Sequence, residues 1–230
     1  MCLSPEVSFA AGAILVPAGG LSTYRAFKVD PRYIPLAALP AFFGIQQVME
    51  GFVWVAGARG DADSIAGFSL AYMFFAWVVW PVWVPVSTYF IESGTRRALY
   101  LAFAIGGGML GALQYVPYYA HDGWLVTTFL QRAVRYGGTE LLDLVTLREV
   151  TYSLYAFLII APFLLSRDPQ VRVFGVLVSG VLAVTYLFFA YAYISVFCFG
   201  GALISFYLVR MMYRKPLRNV TPSPAAGRNV

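Results

Sequence analysis

Three polar side chains stand in the otherwise apolar stretch from Gly44 to Trp54. Gln46, Glu50 and Trp54 follow one another at intervals of four residues, and Gln47 precedes Glu50 by three, so all four side chains share one face of a helix. If that helix crosses a membrane, Glu50 marks a functional site, because an ionisable group at that depth is costly. We expect Glu50 to bind a cation, exchange a proton or hold a polar ligand. The alternative is a structural carboxyl that is hydrogen-bonded across a helix interface.

A metal site is a second hypothesis, because thiolate, imidazole and carboxylate groups suit zinc or copper. Its candidate ligands would be Cys2, Glu50, His121 and Cys198. No two of these residues have the spacing of metal ligands, and His121 is the only histidine in the chain. Cys2 and Cys198 could instead form one disulfide on an oxidising outer face, or stay as two thiols.

Several chemistries of membrane proteins are excluded by residue content. The only lysines, Lys28 and Lys215, lie in a predicted loop and in the tail, so no membrane lysine is available to hold retinal. One histidine cannot supply the ligands of a zinc-dependent intramembrane hydrolase. The chain has neither a Gly-x-Ser-x-Gly elbow nor a phosphate-binding glycine-rich loop. No cofactor can be identified from the sequence.

The composition predicts an integral membrane protein. Hydrophobic residues make up 60% of the chain and charged residues only 12%, and the mean hydropathy is +0.71, far from the usual soluble profile. The net charge of +5 comes from basic residues dispersed in short loops and a tail, which fits orientation in a bilayer rather than binding to nucleic acid. The expected partners are the lipid bilayer and a small polar ligand, ion or proton.

Seven apolar runs predict an all-α transmembrane bundle over residues 1–215, followed by a disordered cytoplasmic tail over 216–230. A Ser4 cap should start the first helix and a Thr139 cap the fifth. The polar stretch 121–138 has an amphipathic segment that we expect to lie on the membrane surface. The predicted helices cover approximately residues 5–27, 33–57, 65–91, 97–119, 139–165, 171–191 and 194–213.

Glycine and proline predict two features inside these helices. Gly107 and Gly111, four residues apart, permit close approach of a neighbouring helix. Pro81 and Pro85 should bend the third helix and free backbone carbonyls, which neighbours, hydroxyls or water must then satisfy.

The basic residues orient the bundle. Twelve of the sixteen lysines and arginines fall on one side of the seven-helix arrangement, which predicts an external N-terminus and an internal C-terminus in the inner membrane. In this orientation Glu50 lies in the outer half of the membrane, and Ser195 and Cys198 lie in the outer turns of the last helix. The twelve are Arg25, Lys28, Arg32, Arg96, Arg97, Arg167, Arg172, Arg210, Arg214, Lys215, Arg218 and Arg228.

Short blocks spread over most of the chain carry a family resemblance. Four of them are Met1-Cys2-x-Ser4, Gly44-Ile-Gln-Gln-x-x-Glu-Gly51, Trp80-Pro-Val-Trp-Val-Pro85 and Ile194-Ser-Val-x-Cys-Phe199. In these blocks the chain resembles a bacterial integral membrane family that is known only as a domain of unknown function, with Leu3 where that family usually has Phe. The resemblance implies a multi-helix fold but no activity. It gives prominence to Cys2, Gln46, Gln47, Glu50, Trp54, Trp80 and Cys198.

Together these observations predict an outward-facing polar pocket that binds or translocates a small solute, ion or proton. One alternative is a membrane enzyme or a redox or metal-binding protein that uses Cys2, Cys198 and Glu50. Another is a structural accessory subunit of a membrane complex. The expected lining residues of the pocket are Gln46, Gln47, Glu50, Trp54, Trp80 and Ser195.

Overall fold

Long apolar helices dominate the structure. A computed structural model describes residues 4–138, 141–144 and 147–217, with only the backbone of Leu141. Within these residues, five helical segments are long and apolar enough to cross a membrane. The predicted all-α class, with long apolar helices of membrane-spanning length, is confirmed at this level. The five segments are Pro5–Val29, Pro31–Arg59, Ala62–Ile91, Arg96–Ala120 and Pro169–Arg214.

Ten α-helices and one β-hairpin are found in the described part of the chain. The helices are α1 Pro5–Val29, α2 Ile34–Ala37, α3 Leu39–Arg59, α4 Ala62–Phe74, α5 Trp80–Ile91, α6 Arg96–Ala120, α7 Arg148–Leu164, α8 Pro169–Phe189, α9 Tyr193–Ile204 and α10 Phe206–Arg214. The antiparallel hairpin consists of β1 Leu125–Leu130 and β2 Ala133–Gly138. Short 3-10 turns cover Pro31–Tyr33, Leu141–Leu144 and Ala190–Ala192, and a π turn covers Phe75–Val79.

Helix α1 starts where the sequence predicts and packs tightly on α3. The backbone N–H of Val7 donates to the Ser4 hydroxyl, which caps the helix. A Cβ atom added at Gly19 would lie 2.2 Å from the backbone nitrogen of Ala41, so these two helices touch through their backbones. This contact occupies one side of α3 and leaves its polar side for α4, α5 and α9.

The third predicted helix is irregular just before its prolines. Pro81 has no N–H to donate, and the chain widens before it into the π turn Phe75–Val79. The Tyr155 hydroxyl donates to the carbonyl of Ala76 within this turn. A hydroxyl from α7 therefore satisfies a carbonyl of the irregular segment, as the bilayer requires.

The predicted close approach at the glycine pair of α6 is confirmed. A Cβ atom at Gly107 would lie 2.0 Å from the carbonyl oxygen of Pro81, and one at Gly111 would lie 2.2 Å from that of Trp77. Side chains at either position would overlap backbone atoms. The two glycines thus allow α6 to pack directly on the irregular part of the third span.

The polar stretch after α6 forms a β-hairpin, and its predicted place on the membrane surface stays a prediction. Its strands pair from Leu125 with Gly138 to Leu130 with Ala133. In β2, Val134 and Tyr136 are buried while Arg135 between them is exposed, which is the alternation of a strand with one covered face. The buried face packs on the end of the helical bundle.

One helix boundary differs from the prediction, and the break after α8 lies within two residues of the predicted one. Helix α7 begins at Arg148, and Thr139, its predicted cap, lies outside the described residues. The side chain of Arg148 instead donates to Asp143, in the 3-10 turn Leu141–Leu144, and to the carbonyl of Gly138. Further on, the 3-10 turn Ala190–Ala192 separates α8 from α9. The predicted tail from residue 218 onwards lies outside the described residues.

At the opposite end of the bundle from the hairpin, Asp168 connects three segments. Its carboxylate accepts a hydrogen bond of 2.5 Å from the Tyr33 hydroxyl and one of 3.3 Å from the ammonium of Lys215. Burial alone would raise the pKa of Asp168, but the hydrogen bonds from Tyr33 and from the backbone N–H of Gln170, with the charge of Lys215, lower it overall. This network connects the end of α10 to the start of the helical segment Pro31–Arg59.

Candidate functional site

The polar face of α3 is completely buried. Gln46, Gln47 and Glu50 each have 0% of their surface exposed, although all three side chains are polar. Their spacing puts them on one helix face, as the sequence indicates. Burying such groups in a membrane protein is costly unless they find partners, so their contacts with other helices are informative.

Gln46 is the centre of a hydrogen-bond network that joins three other helices. Its amide nitrogen donates to the carbonyl of Tyr72 at 3.4 Å and to the sulfur of Cys198 at 3.3 Å. Its amide oxygen accepts from the indole nitrogen of Trp80 at 3.1 Å. One side chain therefore links α3 to α4, α5 and α9, and it brings Trp80 and Cys198 together.

Glu50 lies one helical turn further along α3. The hydroxyl of Ser195, in the first turn of α9, donates to Oε1 of Glu50 at 2.7 Å. Ser195 is also 0% exposed. Two of the residues predicted from the sequence, separated by 145 positions in the chain, are thus in direct contact.

Trp54 lies nearer the hairpin than the other predicted residues. Its ring centroid is 5.6 Å from that of Phe129 in β1, and the side chain is only half-buried. A Cβ atom at Gly57, one turn on, would lie 2.3 Å from the Phe129 ring. Glycine at this position leaves room for Phe129 against α3, and Trp54 becomes part of the contact between helix and hairpin.

The hairpin closes this end of the bundle above the polar residues. The Tyr136 ring stacks on Tyr72 with centroids 4.7 Å apart, and the Thr127 hydroxyl donates to Ser69 at 2.8 Å. Tyr72 is the residue whose carbonyl accepts from Gln46. The arrangement seen here is therefore a covered site, whereas the sequence predicts a pocket open to the outer side.

The predicted metal ligands do not share one environment. His121 is exposed and stacks on Trp124, with ring centroids 4.5 Å apart, whereas Glu50 and Cys198 are buried. Cys2 lies outside the described residues, and so does any disulfide it could form with Cys198. Among the described residues, no group of three or more His, Cys, Asp and Glu side chains could hold a metal ion.

A cluster of aromatic residues beside the site has no clear signal in the sequence. The Tyr193 hydroxyl, two residues before Ser195, donates to that of Tyr152 in α7. Tyr152 stacks on Trp77, whose centroid is 6.0 Å away. Tyr152 and Tyr155 are three residues apart on α7 and both contact Trp77. That spacing is the only indication in the sequence that Tyr152 and Tyr155 share one face of α7.

A small void lies on the other side of Gln46 from the hairpin. Its volume is about 30 Å³, enough for a molecule of the size of water. Phe43 and Trp80, which stack at 4.1 Å, form part of its wall, together with Cys198 and Gly201. Apart from the thiol and the indole, the lining side chains are apolar.

Comparison with known proteins identifies a family but no activity. A family described as one of unknown function matches residues 1–223, which is nearly the whole chain. Neither the curated proteins nor the solved structures include a match. The resemblance stated from the sequence is confirmed, and any function has to be argued from the residues themselves.

Proposed function

We propose that this chain, which belongs to the family of unknown function DUF6629, binds or translocates a small solute, ion or proton at Glu50. The observation that supports it is that Gln46, Gln47, Glu50 and Ser195 are all 0% exposed. Glu50 contacts Ser195 of α9, and Gln46 contacts Cys198 of the same helix. Membrane proteins place carboxylates at such depth mainly along ion or proton pathways. The glutamine amides and the serine hydroxyl are suitable partners for a polar ligand or a hydrated ion.

Seven spans are the arrangement that we propose for the bundle. Helix α7 has 17 residues, at the short end of what crosses a bilayer. The segment Pro169–Arg214 has 46 residues, about twice the length needed for one crossing, and the turn Ala190–Ala192 divides it. Together with the four earlier segments these make seven crossings.

The orientation that we propose places the N-terminus outside and the C-terminus inside, in the inner membrane. The distribution of lysines and arginines supports it, because twelve of sixteen fall on the side of the C-terminus. The hairpin then covers the outer face, and Glu50 lies in the outer half. Exchange of a ligand with the outside would require the contacts of Phe129 and Tyr136 with the helices to open.

Thermal unfolding of the purified protein tests the binding site. We expect the unfolding temperature of the wild type to depend on pH between about 5 and 8, or on added sodium or potassium, because a ligand that binds only the folded state stabilises it. Glu50→Gln should remove that dependence. The matched control is Glu92→Gln, since Glu92 is also a buried carboxyl, 3% exposed, but lies in a loop between spans.

Two outcomes of this experiment separate the proposal from its alternative. A pH or cation response that persists in Glu50→Gln would contradict binding at this carboxylate. If Glu50→Gln only lowers stability, with no response in the wild type, Glu50 is a structural carboxyl. The bonds that join α3 to α5 and α9 favour this second candidate, an accessory subunit whose polar residues hold helices together. The redox or metal-binding alternative stays a prediction, which metal analysis with thiol counting would test.

A further inference from the structure

We propose that the phosphodiester headgroup of an anionic phospholipid binds in a cleft between α6, α7 and α8, at the end of the bundle opposite the hairpin. The cleft has a volume of about 500 Å³, far more than the small void beside Gln46. It is lined by residues from the start of α6, the end of α7 and the connection to α8. This inference is independent of the function proposed for Glu50.

Three arginines give the cleft its charge. Arg96, Arg167 and Arg172 all line it and are exposed. The ion pairs found among the described residues involve other basic side chains, so no described carboxylate lies within 4.0 Å of these three guanidinium groups. Arg96 is held at the cleft by a hydrogen bond of 3.0 Å to the carbonyl of Leu165. Guanidinium groups bind phosphate with charge-assisted hydrogen bonds.

The carboxylate of Glu92 contacts residues that line the cleft. Oε1 of Glu92 accepts hydrogen bonds from the hydroxyl of Ser166 at 2.7 Å and from the backbone N–H of Arg167 at 2.6 Å. Those bonds hold the connection between α7 and α8 in place. The next carboxylate, Asp168, is paired with Lys215. Three arginines and Lys215 against Glu92 and Asp168 therefore leave the surroundings of the cleft positive.

A buried hydroxyl also points to an acceptor in this cleft. Tyr100 lines it and is 0% exposed, and its hydroxyl has no hydrogen-bond partner among the described residues. A buried donor without an acceptor is costly. A phosphate oxygen bound by the arginines would be a strong acceptor for that hydroxyl.

The remaining wall favours a lipid over a soluble phosphate. Leu99, Leu164 and Leu165 line the same cleft and are 44%, 40% and 46% exposed. They lie at the ends of α6 and α7, where membrane-spanning helices reach the headgroup region. Arginines beside exposed leucines suit a ligand with both a phosphate and acyl chains. On the proposed orientation the cleft belongs to the cytoplasmic leaflet.

Binding of a fluorescent phosphatidylglycerol to the purified full-length protein in detergent tests this site. The double variant Arg96→Gln, Arg172→Gln should bind about 25-fold more weakly, at about fivefold for each arginine. The matched control Arg132→Gln, Arg135→Gln removes the same charge from exposed positions in the hairpin and should bind as the wild type does. Phosphatidylcholine should bind weakly to all of them.

Tyr100→Phe keeps the aromatic ring and tests phospholipid binding even if the double variant fails to fold. It should retain the fold and bind phosphatidylglycerol about tenfold more weakly, because it loses one hydrogen bond to a charged group. Unchanged affinity in Tyr100→Phe would overturn the proposal. Equal losses of affinity in the two double variants would also overturn it, because they would show a general effect of charge. Displacement of the lipid by inorganic phosphate at comparable concentration would instead show a site for free phosphate and would overturn it too.

Discussion

The hydroxyl of Ser195 donates a hydrogen bond of 2.7 Å to the carboxylate of Glu50, and both side chains are 0% exposed. This contact joins the second half of α3 to the first turn of α9. The Ser195 hydroxyl is a neutral donor, so this contact holds the carboxylate in place without itself adding a positive charge.

Removing this donor should destabilise the protein. Ser195→Ala leaves Glu50 Oε1 without that hydrogen bond in a buried place, which should cost about 1–3 kcal/mol of unfolding free energy. Ser205→Ala is the control, because Ser205 is equally buried but its hydroxyl donates to Ala202 within the same stretch of chain. Thermal or denaturant unfolding in detergent compares the two. Equal losses of unfolding free energy in the two variants would show that the hydrogen bond between α3 and α9 does not stabilise the fold more than a local one.

The contact between Gln46 and Trp80 should appear as an energetic coupling. Gln46→Met leaves the buried indole N–H of Trp80 without its acceptor, and Trp80→Phe removes that donor. A double-mutant cycle should therefore give an interaction free energy of about 0.5–3 kcal/mol. The control is Trp83→Phe, because the Trp83 indole donates to the carbonyl of Pro35 instead. Coupling of Gln46 to Trp83 as strong as to Trp80 would contradict the network described here.

The glycines of α6 should differ sharply in their tolerance of a methyl group. Gly107→Ala and Gly111→Ala place a Cβ atom 2.0 and 2.2 Å from backbone oxygens, so the helices must separate. Gly108→Ala meets only a methyl of Val82 at 3.5 Å, an ordinary contact. We expect the first two variants to unfold at lower temperature than the wild type and Gly108→Ala to match it. Loss of stability in all three variants alike would contradict the packing of α6 on the π turn.

Acid should weaken the Asp168 network. Because the folded state lowers the pKa of Asp168, this carboxylate contributes stability above its unfolded value of about 3.8, and the contribution is lost as the pH falls through the lower folded value. Asp168→Asn should therefore be less stable than the wild type near neutral pH, and the difference should shrink below about pH 4. Unfolding temperatures measured across this range check the sign. A difference that grows in acid would contradict it.

Much of the α3 face could be predicted because a helix repeats in a known way. The spacing of Gln46 and Glu50 is sufficient to place them together. The orientation that puts Ser195 in the same half of the membrane stays a prediction, but the contact of Ser195 with Glu50 agrees with it. The partner of Gln46 on α9, Cys198, depends on the rotation of that helix, which no local pattern specifies. The aromatic contacts of Tyr152 and Tyr193 are likewise long-range.

The sequence does not predict the hairpin, for a different reason. Its strands have six residues each, so the alternation of Val134, Arg135 and Tyr136 covers too few positions to stand out from a helical pattern. The start of α7 differs from the predicted one because the apolar residues before Arg148 continue the helical period. Such short elements are determined by what they cover, here Tyr72 and the end of α3.

Proton flux into proteoliposomes tests the central claim, that Glu50 is where the exchanged species binds. The vesicles contain a pH-sensitive dye and receive an imposed pH gradient, with and without a sodium gradient. We expect the wild type and Glu92→Gln to dissipate the gradient faster than empty liposomes, and Glu50→Gln to match the empty liposomes while remaining folded. Flux in Glu50→Gln as fast as in the wild type would contradict the claim.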